Sequence, residues 1–319
     1  MTGRTEAVGH LATMPASTAV SDRDRPVVAV LGASLHLPGV DLPALPPGHR
    51  TQVAEEPACP ADRAADLLGR KGLLAKEPAT RLALCAVHRA LGLAPKAPRR
   101  TGPADPRTAV VVSSNLGNVA TVGDIALRLR EGGLREVGPL EAPNASSNVI
   151  AGAIAIWFRF GGPNLTVCSG STAGLDAIWL AGLLLRTGRA DRVVVVGTEP
   201  DDAQAQALHA ARAGATAGRP LSAGAACLLL GPVDAPQRPL ALLGPVRANE
   251  PTAGAGRNPL FDGTALPGDH YGAAGVVHTA LAVRLATATP TAGATPTGTV
   301  RCGDPVDGFR ELSVLAARR

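Results

Sequence analysis

Apolar and polar positions along this chain fall into blocks. Four short runs are apolar at nearly every position: "RPVVAVLGA", "TAVVVSSN" (108–115), "DRVVVVGTE" (191–199) and "AACLLLGPV" (225–233). Continuous apolar runs of this length read as strands buried on both faces. "NLTVCS" (164–169) reads as another strand. Between these runs the apolar residues recur at helical spacing. This holds from Leu82 to Leu91 in "ADLLGRKGLLAKEPATRLALCAVHRALGLA", and in "TVGDIALRLREGG", an amphipathic helix closed by Gly-Gly. Asn144 to Phe158 reads as a turn entering an apolar helix, stopped by Gly161-Gly162-Pro163. Thr172 to Arg186 is apolar around nearly its whole circumference, which predicts a central, fully buried helix. The alternation of strands and helices predicts a layered α/β fold. Beyond about residue 238 the pattern thins to "LALLGPVRA", a helix in "DHYGAAGVVHTALAVRLAT", and closing strands in "GTVRCGD" and "RELSVLAAR". Residues 1–25 are polar and read as a disordered arm, 38–62 as a Pro-rich surface loop, and Pro290 to Thr297 as a linker.

Composition narrows the function classes. At 319 residues the chain can bury a large core, as one domain or two fused halves. Apolar residues are 45% but aromatics only 2%, so Ala, Val, Leu and Ile must build that core. The net charge of +5 comes from scattered Arg, without the clustered basic stripe of a nucleic-acid binder. The five cysteines show no CxxC and no regular spacing, which suits small core residues in a reducing cytosol rather than a disulfide framework. No apolar run reaches membrane-span length and the first residues lack the core of a signal peptide, so a soluble, cytoplasmic protein is expected. No metal or organic cofactor is implied.

Candidate chemistry concentrates in "TVCSGSTAGLDAIWLAGLLLRTGRADRVVVVGTE", a strand, tight turn, helix and strand with Ser171 at the turn. This stretch, "EAPNASSNVIAGAIAIWFRFGGPNLTV" before it, "LLGRKGL" with "ATRLALCAV", and "GDHYGAAGVVHTALAV" resemble the β-ketoacyl synthases of the thiolase-like superfamily. The resemblance runs from about Val27 to Leu315. It implies a thiolase-like five-layer α-β-α-β-α fold of two similar halves, 26–233 and a shortened 234–319. It also implies a dimer in which the strand before the nucleophile pairs with its counterpart.

The departures from that family pattern are chemical. A condensing synthase carries a Cys-His-His set, with the Cys at the start of the central helix, where dipole and free N–H groups stabilise a thiolate. Alignment puts Ser171 at that Cys. The first His motif is absent, and Asp269 stands where the second His belongs, with His270 displaced by one. The closing Gly-rich loop shrinks to Gly308-Phe309-Arg310. Condensation by this chain alone is therefore not expected, because the enolate needs both histidines as donors. "GSTAGLDAIWLA" resembles the chain length factors of type II polyketide synthases, through Gly170, Gly174, Leu175, Asp176 and Ala177. That implies a non-condensing subunit that pairs with a ketosynthase as a heterodimer, meets an acyl carrier protein and borders an acyl tunnel. Asn144, Ala151, Ala153 and Ile154 are the candidate tunnel residues, with ordinary core packing as the alternative.

A second reading is an acyltransferase. Ser171 would take an acyl group from a carrier-protein thioester, with His270 or His278 as base, Asp269 in support, and the N–H groups of Ser171 and Phe309 as oxyanion hole. Ser171 as a simple helix cap, or a scaffold without substrate contact, are the plainer alternatives. Cys168 lies in the strand and should point away from Ser171. Asp176 needs a buried partner. Arg70 and Lys71 could meet an acidic carrier protein, or be solvated loop charges.

Overall fold

The computed structural model describes residues 25–40, 57–139, 141–212, 219–249, 259–261, 266–288 and 296–317. The expected N-terminal arm, most of the Pro-rich loop and most of the late linker lie outside them.

The apolar runs become β1 (Val28–His36), β2 (Thr108–Ser113), β3 (Asn164–Val167), β4 (Arg192–Glu199) and β5 (Gly224–Gly231). They lie in the order β3-β2-β4-β5-β1. β2 runs parallel to β3 and β4, and β5 antiparallel to β4 and β1. The crossovers are α1 (Ala65–Leu68) with α2 (Pro78–Ala90), then α3 (Val119–Gly132) with α4 (Val149–Phe158), then α5 (Ala173–Arg186) and α6 (Ala203–Ala210). The rest of the chain supplies β6 (Ala241–Leu243), β7 (Arg247–Asn249), β8 (Pro259–Phe261), α7 (Ala274–Ala288), β9 (Pro296–Asp304) and β10 (Gly308–Ala316).

Short β6 joins the two groups of strands. It pairs antiparallel with β1 through Val28–Val30 and with β10 through Val314–Ala316. One ten-stranded sheet results, continuing β1-β6-β10-β9-β8. The sheet curls around two helices: α5 touches β2, β3, β4 and β10, and α7 touches β1, β4, β5, β9 and β10.

Strand periodicity explains the two cores. Val193 and Val195 of β4 face α5 and α7, in a cluster with Val30, Leu175, Val276 and Leu312. Val194 and Val196, on the opposite face, join α2 and α4 through Leu82, Ile150 and Ile154. Successive side chains of a strand point to opposite faces, so a strand covered on both sides must be apolar throughout. The layers are thus α2/α4, the first five strands, α5/α7, then β10-β9-β8, in agreement with the thiolase-like architecture. Among the described residues no helix covers the far face of β8–β10.

The inner helices approach closely because glycine lies on both. A Cβ on Gly174 would stand 2.7 Å from Cα of Gly275, and one on Gly275 would stand 2.6 Å from the backbone N of Leu175. Three details depart from the sequence reading. The 65–94 stretch is broken, because Gly69 and Gly72 take φ of +77° and +76° and turn the chain between α1 and α2. Helix α5 is not covered all round: Trp179 is 50% exposed, beside Val27, Pro245 and Val246. Helix α6 was not anticipated, although Asp202 caps it by accepting from the N–H groups of Gln204 and Ala205.

Candidate functional site

The chain leaves β3, passes Cys168, and turns through Gly170 at φ +69° into a 3-10 turn (Gly170–Thr172) that runs on into α5. The Cys168 thiol donates to the Ser114 carbonyl at 3.1 Å, away from Ser171, as its strand position implies. A cavity of about 430 Å³ opens beside this turn. Ser171, the adjacent pair Asp269 and His270, and Phe309, three places far apart in sequence, all line it.

Ser171 is nearly buried and its polar groups are engaged by a residue that sequence reading did not single out. Its hydroxyl donates to Oδ2 of Asp307 at 2.9 Å, and its backbone N–H donates to the same oxygen at 2.7 Å. Asp307 lies in the turn between β9 and β10. A carboxylate at the free N–H groups of a helix start is favoured by the local dipole. Gly170 is required twice over, by its positive φ and because a Cβ there would meet the Asp307 carboxylate. The β9–β10 turn is itself braced. Asp304 Oδ1 accepts from the N–H groups of Val306 and Asp307, both at 2.8 Å, and Arg212 reaches Asp304 Oδ2 at 2.5 Å and Asp307 at 3.5 Å. Burial alone would raise the Asp304 carboxyl; these donors outweigh it and the net direction is down. The Arg212 guanidinium also stacks on Tyr271, 4.0 Å from the ring centre.

The structure re-pairs the expected bases. Asp269 does not support His270. Its Oδ2 lies 3.0 Å from Nε2 of His209, on the unanticipated α6, and its Oδ1 accepts from the Tyr271 N–H at 2.8 Å. Tyr271 takes φ +38°, a left-handed conformation unusual for a bulky residue. The His270 ring is buried, with Nδ1 3.4 Å from the Ser222 carbonyl and Nε2 without a hydrogen-bond partner among the described residues. His278, on α7, is also buried, and its Nδ1 has no hydrogen-bond partner among the described residues. Burial pushes both histidines down to about 4, so both rings are neutral at pH 7. Neither is hydrogen-bonded to Ser171. Phe309 is in register with Gly303 on β9, and the Arg301 guanidinium covers its ring at 4.3 Å.

The four candidate tunnel residues line a different region. The Asn144 amide donates to the Ala75 carbonyl at 3.2 Å. Ala151 and Ile154 lie in the core between α4 and α2, and Ala153 is buried on the same helix. None of the four borders the 430 Å³ cavity.

Two acidic groups hold the site's frame. Asp176, expected to need a partner, accepts from the hydroxyls of Ser169 and Thr172 at 2.6 and 2.7 Å and from Arg310 Nε at 2.9 Å. Glu199, fully buried at the end of β4, accepts from the backbone N–H groups of Asn115 and Leu116 at 2.8 and 3.0 Å. Burial raises its carboxyl to about 7 against those donors. Asn115 in turn bonds both the N–H and the carbonyl of Gly170, which ties Glu199 to the Ser171 turn.

Residues 50–227, more than half of the chain, match the family model of the β-ketoacyl synthase N-terminal domain. The chain belongs to the β-ketoacyl synthase family. It is 34% identical to 3-oxoacyl-[acyl-carrier-protein] synthase 2 of Rhizobium meliloti (strain 1021) over 92 residues, which are 29% of this chain and 22% of that protein. Against the enzyme of the same name from Coxiella burnetii it is 29% identical over 94 residues, 30% of this chain and 23% of that one. The matched stretches thus span less than a quarter of these synthases. Among solved structures, the ishigamide ketosynthase/chain length factor aligns with a TM-score of 0.65 and 21% identity, over 92% of this chain and 99% of that one. A type II PKS acyl-carrier protein complex with its ketosynthase bound to the hexaketide aligns at 0.63 with 15% identity, over 91% and 99%. At these identities the likeness is one of fold.

Among the described residues no helix is long and apolar enough to cross a membrane.

Proposed function

We propose that this ketosynthase-like chain is a non-condensing subunit of the chain-length-factor type. It pairs with a catalytic ketosynthase as a heterodimer, in type II polyketide or polyene/fatty-acyl assembly. The partner carries the condensing chemistry, and the acyl chain arrives on a carrier protein. Residues 26–233 and 234–319 act as the two halves of one thiolase-like unit.

The observation that carries this reading is the double hold of Asp307 on Ser171. An oxyanion hole needs free N–H donors aimed at the developing charge. Here the Ser171 N–H is already given to a carboxylate, whose negative charge would repel an oxyanion. A nucleophilic serine needs a base of matched pKa. The two nearby histidines are buried, neutral and not bonded to it, and its hydroxyl is given to the Asp307 carboxylate, whose same oxygen also holds the Ser171 N–H. The turn keeps the shape of a ketosynthase centre with its donors engaged, which suits a subunit that shapes a space rather than cleaving a thioester.

The acyltransferase reading draws on the same contact, since a hydroxyl 2.9 Å from a carboxylate is also a possible proton-transfer pair. The two readings part on assembly. Native mass spectrometry of the tagged protein, purified from its own host, tests the proposal. A stoichiometric complex with a distinct ketosynthase chain bearing the Cys-His-His set supports it. A homodimer or monomer without that chain overturns it.

A further inference from the structure

The five cysteines, dispersed in sequence, are not equivalent in the fold. Cys85, Cys227 and Cys302 are buried, and burial raises the last to about 12. Cys168 is exposed, yet partial burial first, and the charge of Glu199 second, raise it as well. Cys59 is different. It lies just before the 3-10 turn Ala61–Arg63, half-buried and packed against the core cluster that holds α2 and α4. Cys85 on α2 and His36 at the end of β1 stand against it. Its Sγ is 3.8 Å from Nε2 of His36, and the donor atoms of all three residues lie within 4.8 Å of one another. Arg89, one turn beyond Cys85 on α2, donates to the Pro57 carbonyl at 3.3 Å and adds positive charge there. Contact with the Cys85 thiol, and then with His36, lowers the Cys59 thiol to about 4 against the opposing effect of burial.

We infer that Cys59 is an oxidant-reactive thiol with Cys85 as its resolving partner, so that this cluster is a site of reversible disulfide formation. It is remote in sequence from the Ser171 cavity and shares no residue with it. A partly exposed thiol in a positive environment, beside a second thiol, is the arrangement that oxidants select. The oxidant is a hydroperoxide. The Cys59 thiolate attacks one peroxide oxygen, an S–O bond forms, the O–O bond breaks, and the other oxygen leaves as water or alcohol after protonation. Cys59 is then a sulfenic acid. The Cys85 sulfur attacks the Cys59 sulfur, the S–S bond forms, the S–O bond breaks, and the hydroxyl leaves with the Cys85 proton as water. Two thiols are oxidised and one hydroperoxide is reduced. The product ties the 57–60 segment to α2.

The full chain, exposed to hydrogen peroxide, alkylated and peptide-mapped by mass spectrometry, tests this. The expected result is a Cys59–Cys85 linked peptide, lost on treatment with dithiothreitol. Free Cys59 should disappear roughly tenfold faster than the more exposed Cys168. Cys59→Ser should abolish the linkage without disturbing the core. Cys85→Ser should leave Cys59 trapped as a sulfenic acid, detectable with dimedone. Faster loss of Cys168, or oxidation of Cys59 to the sulfinic acid without linkage in the unaltered chain, would overturn the inference. So would a Cys59 that reacts only after a chelator is added, which would assign the trio to a metal.

Discussion

The Asp307 carboxylate accepts the hydroxyl and the backbone N–H of Ser171 on a single oxygen, at 2.9 and 2.7 Å. One residue of the β9–β10 turn thereby engages both polar groups of Ser171 in the 3-10 turn that leads into α5. The two bonds are separable by mutation. Asp307→Ala loses both and should cost about 1–2 kcal/mol, in the range of a lost helix cap. Ser171→Ala loses only the hydroxyl bond and should cost about 1 kcal/mol or less. Urea unfolding of the two variants checks the order. Equal or reversed losses would mean that the backbone bond contributes little.

The Gly174–Gly275 crossing is a packing constraint with no flexible side chain to yield. Gly174→Ala places a methyl 2.7 Å from backbone, and Gly275→Ala places one 2.6 Å from backbone. Each should destabilise by about 1–3 kcal/mol, the cost of overpacking a core. Gly152→Ala is the control, because its Cβ would meet nothing within 4 Å on the helix α4. That change should be neutral or stabilise by about 0.5–1 kcal/mol through helix propensity. Thermal or urea denaturation of the three variants separates contact from propensity.

Glu199 makes stability fall as pH rises through the near-neutral range. Its folded carboxyl, raised by burial to about 7, lies above the 4.5 of an exposed glutamate. Between those values the folded state binds more protons than the unfolded state, so its contribution is full below about pH 4.5 and is lost by about pH 7. The loss is at most about 3 kcal/mol. Glu199→Gln should flatten this part of the profile. An unchanged slope between pH 5 and 7.5 in the variant would remove Glu199 as its source.

How much of this was legible in the chain depends on the range of the interactions. The buried strands and α4, α5 and α7 follow from runs such as "VVVV" at 193–196, because both faces of those strands meet apolar layers. Asp176 declared its need for partners by sitting in an apolar helix, and Ser169, Thr172 and Arg310 meet it. The partner of Ser171 could not be read, because Asp307 lies 136 residues away in a short turn with no motif. Helix α6 was missed although Asp202 signalled its cap. With it went His209, which takes the Asp269 carboxylate away from His270. Cys59 and Cys85 meet only because the segment before α1 folds over α2, a contact that spacing along the chain does not encode.

His270 and His278 should titrate well below an ordinary imidazole. Burial lowers both to about 4 from the 6.5 of an exposed imidazole, so the folded state binds fewer protons than the unfolded state between these values. Their contribution to stability is full above pH 6.5 and is lost as pH falls towards 4. In an NMR titration of the imidazole C–H signals, those of His270 and His278 should remain unshifted down to about pH 5. Titration of either His270 or His278 near 6.5, assigned by His→Gln variants, would show a wetter cavity and reopen a catalytic base.

The most direct test of a non-catalytic Ser171 is intact-protein mass spectrometry after incubation with an acyl-carrier thioester. Three samples suffice: the unaltered chain, Ser171→Ala, and a catalytic ketosynthase as positive control. The expected result is a covalent acyl adduct on the ketosynthase and none on this chain. An acyl adduct on the unaltered chain that maps to Ser171 and vanishes in Ser171→Ala would contradict the proposed role and establish Ser171 as a nucleophile.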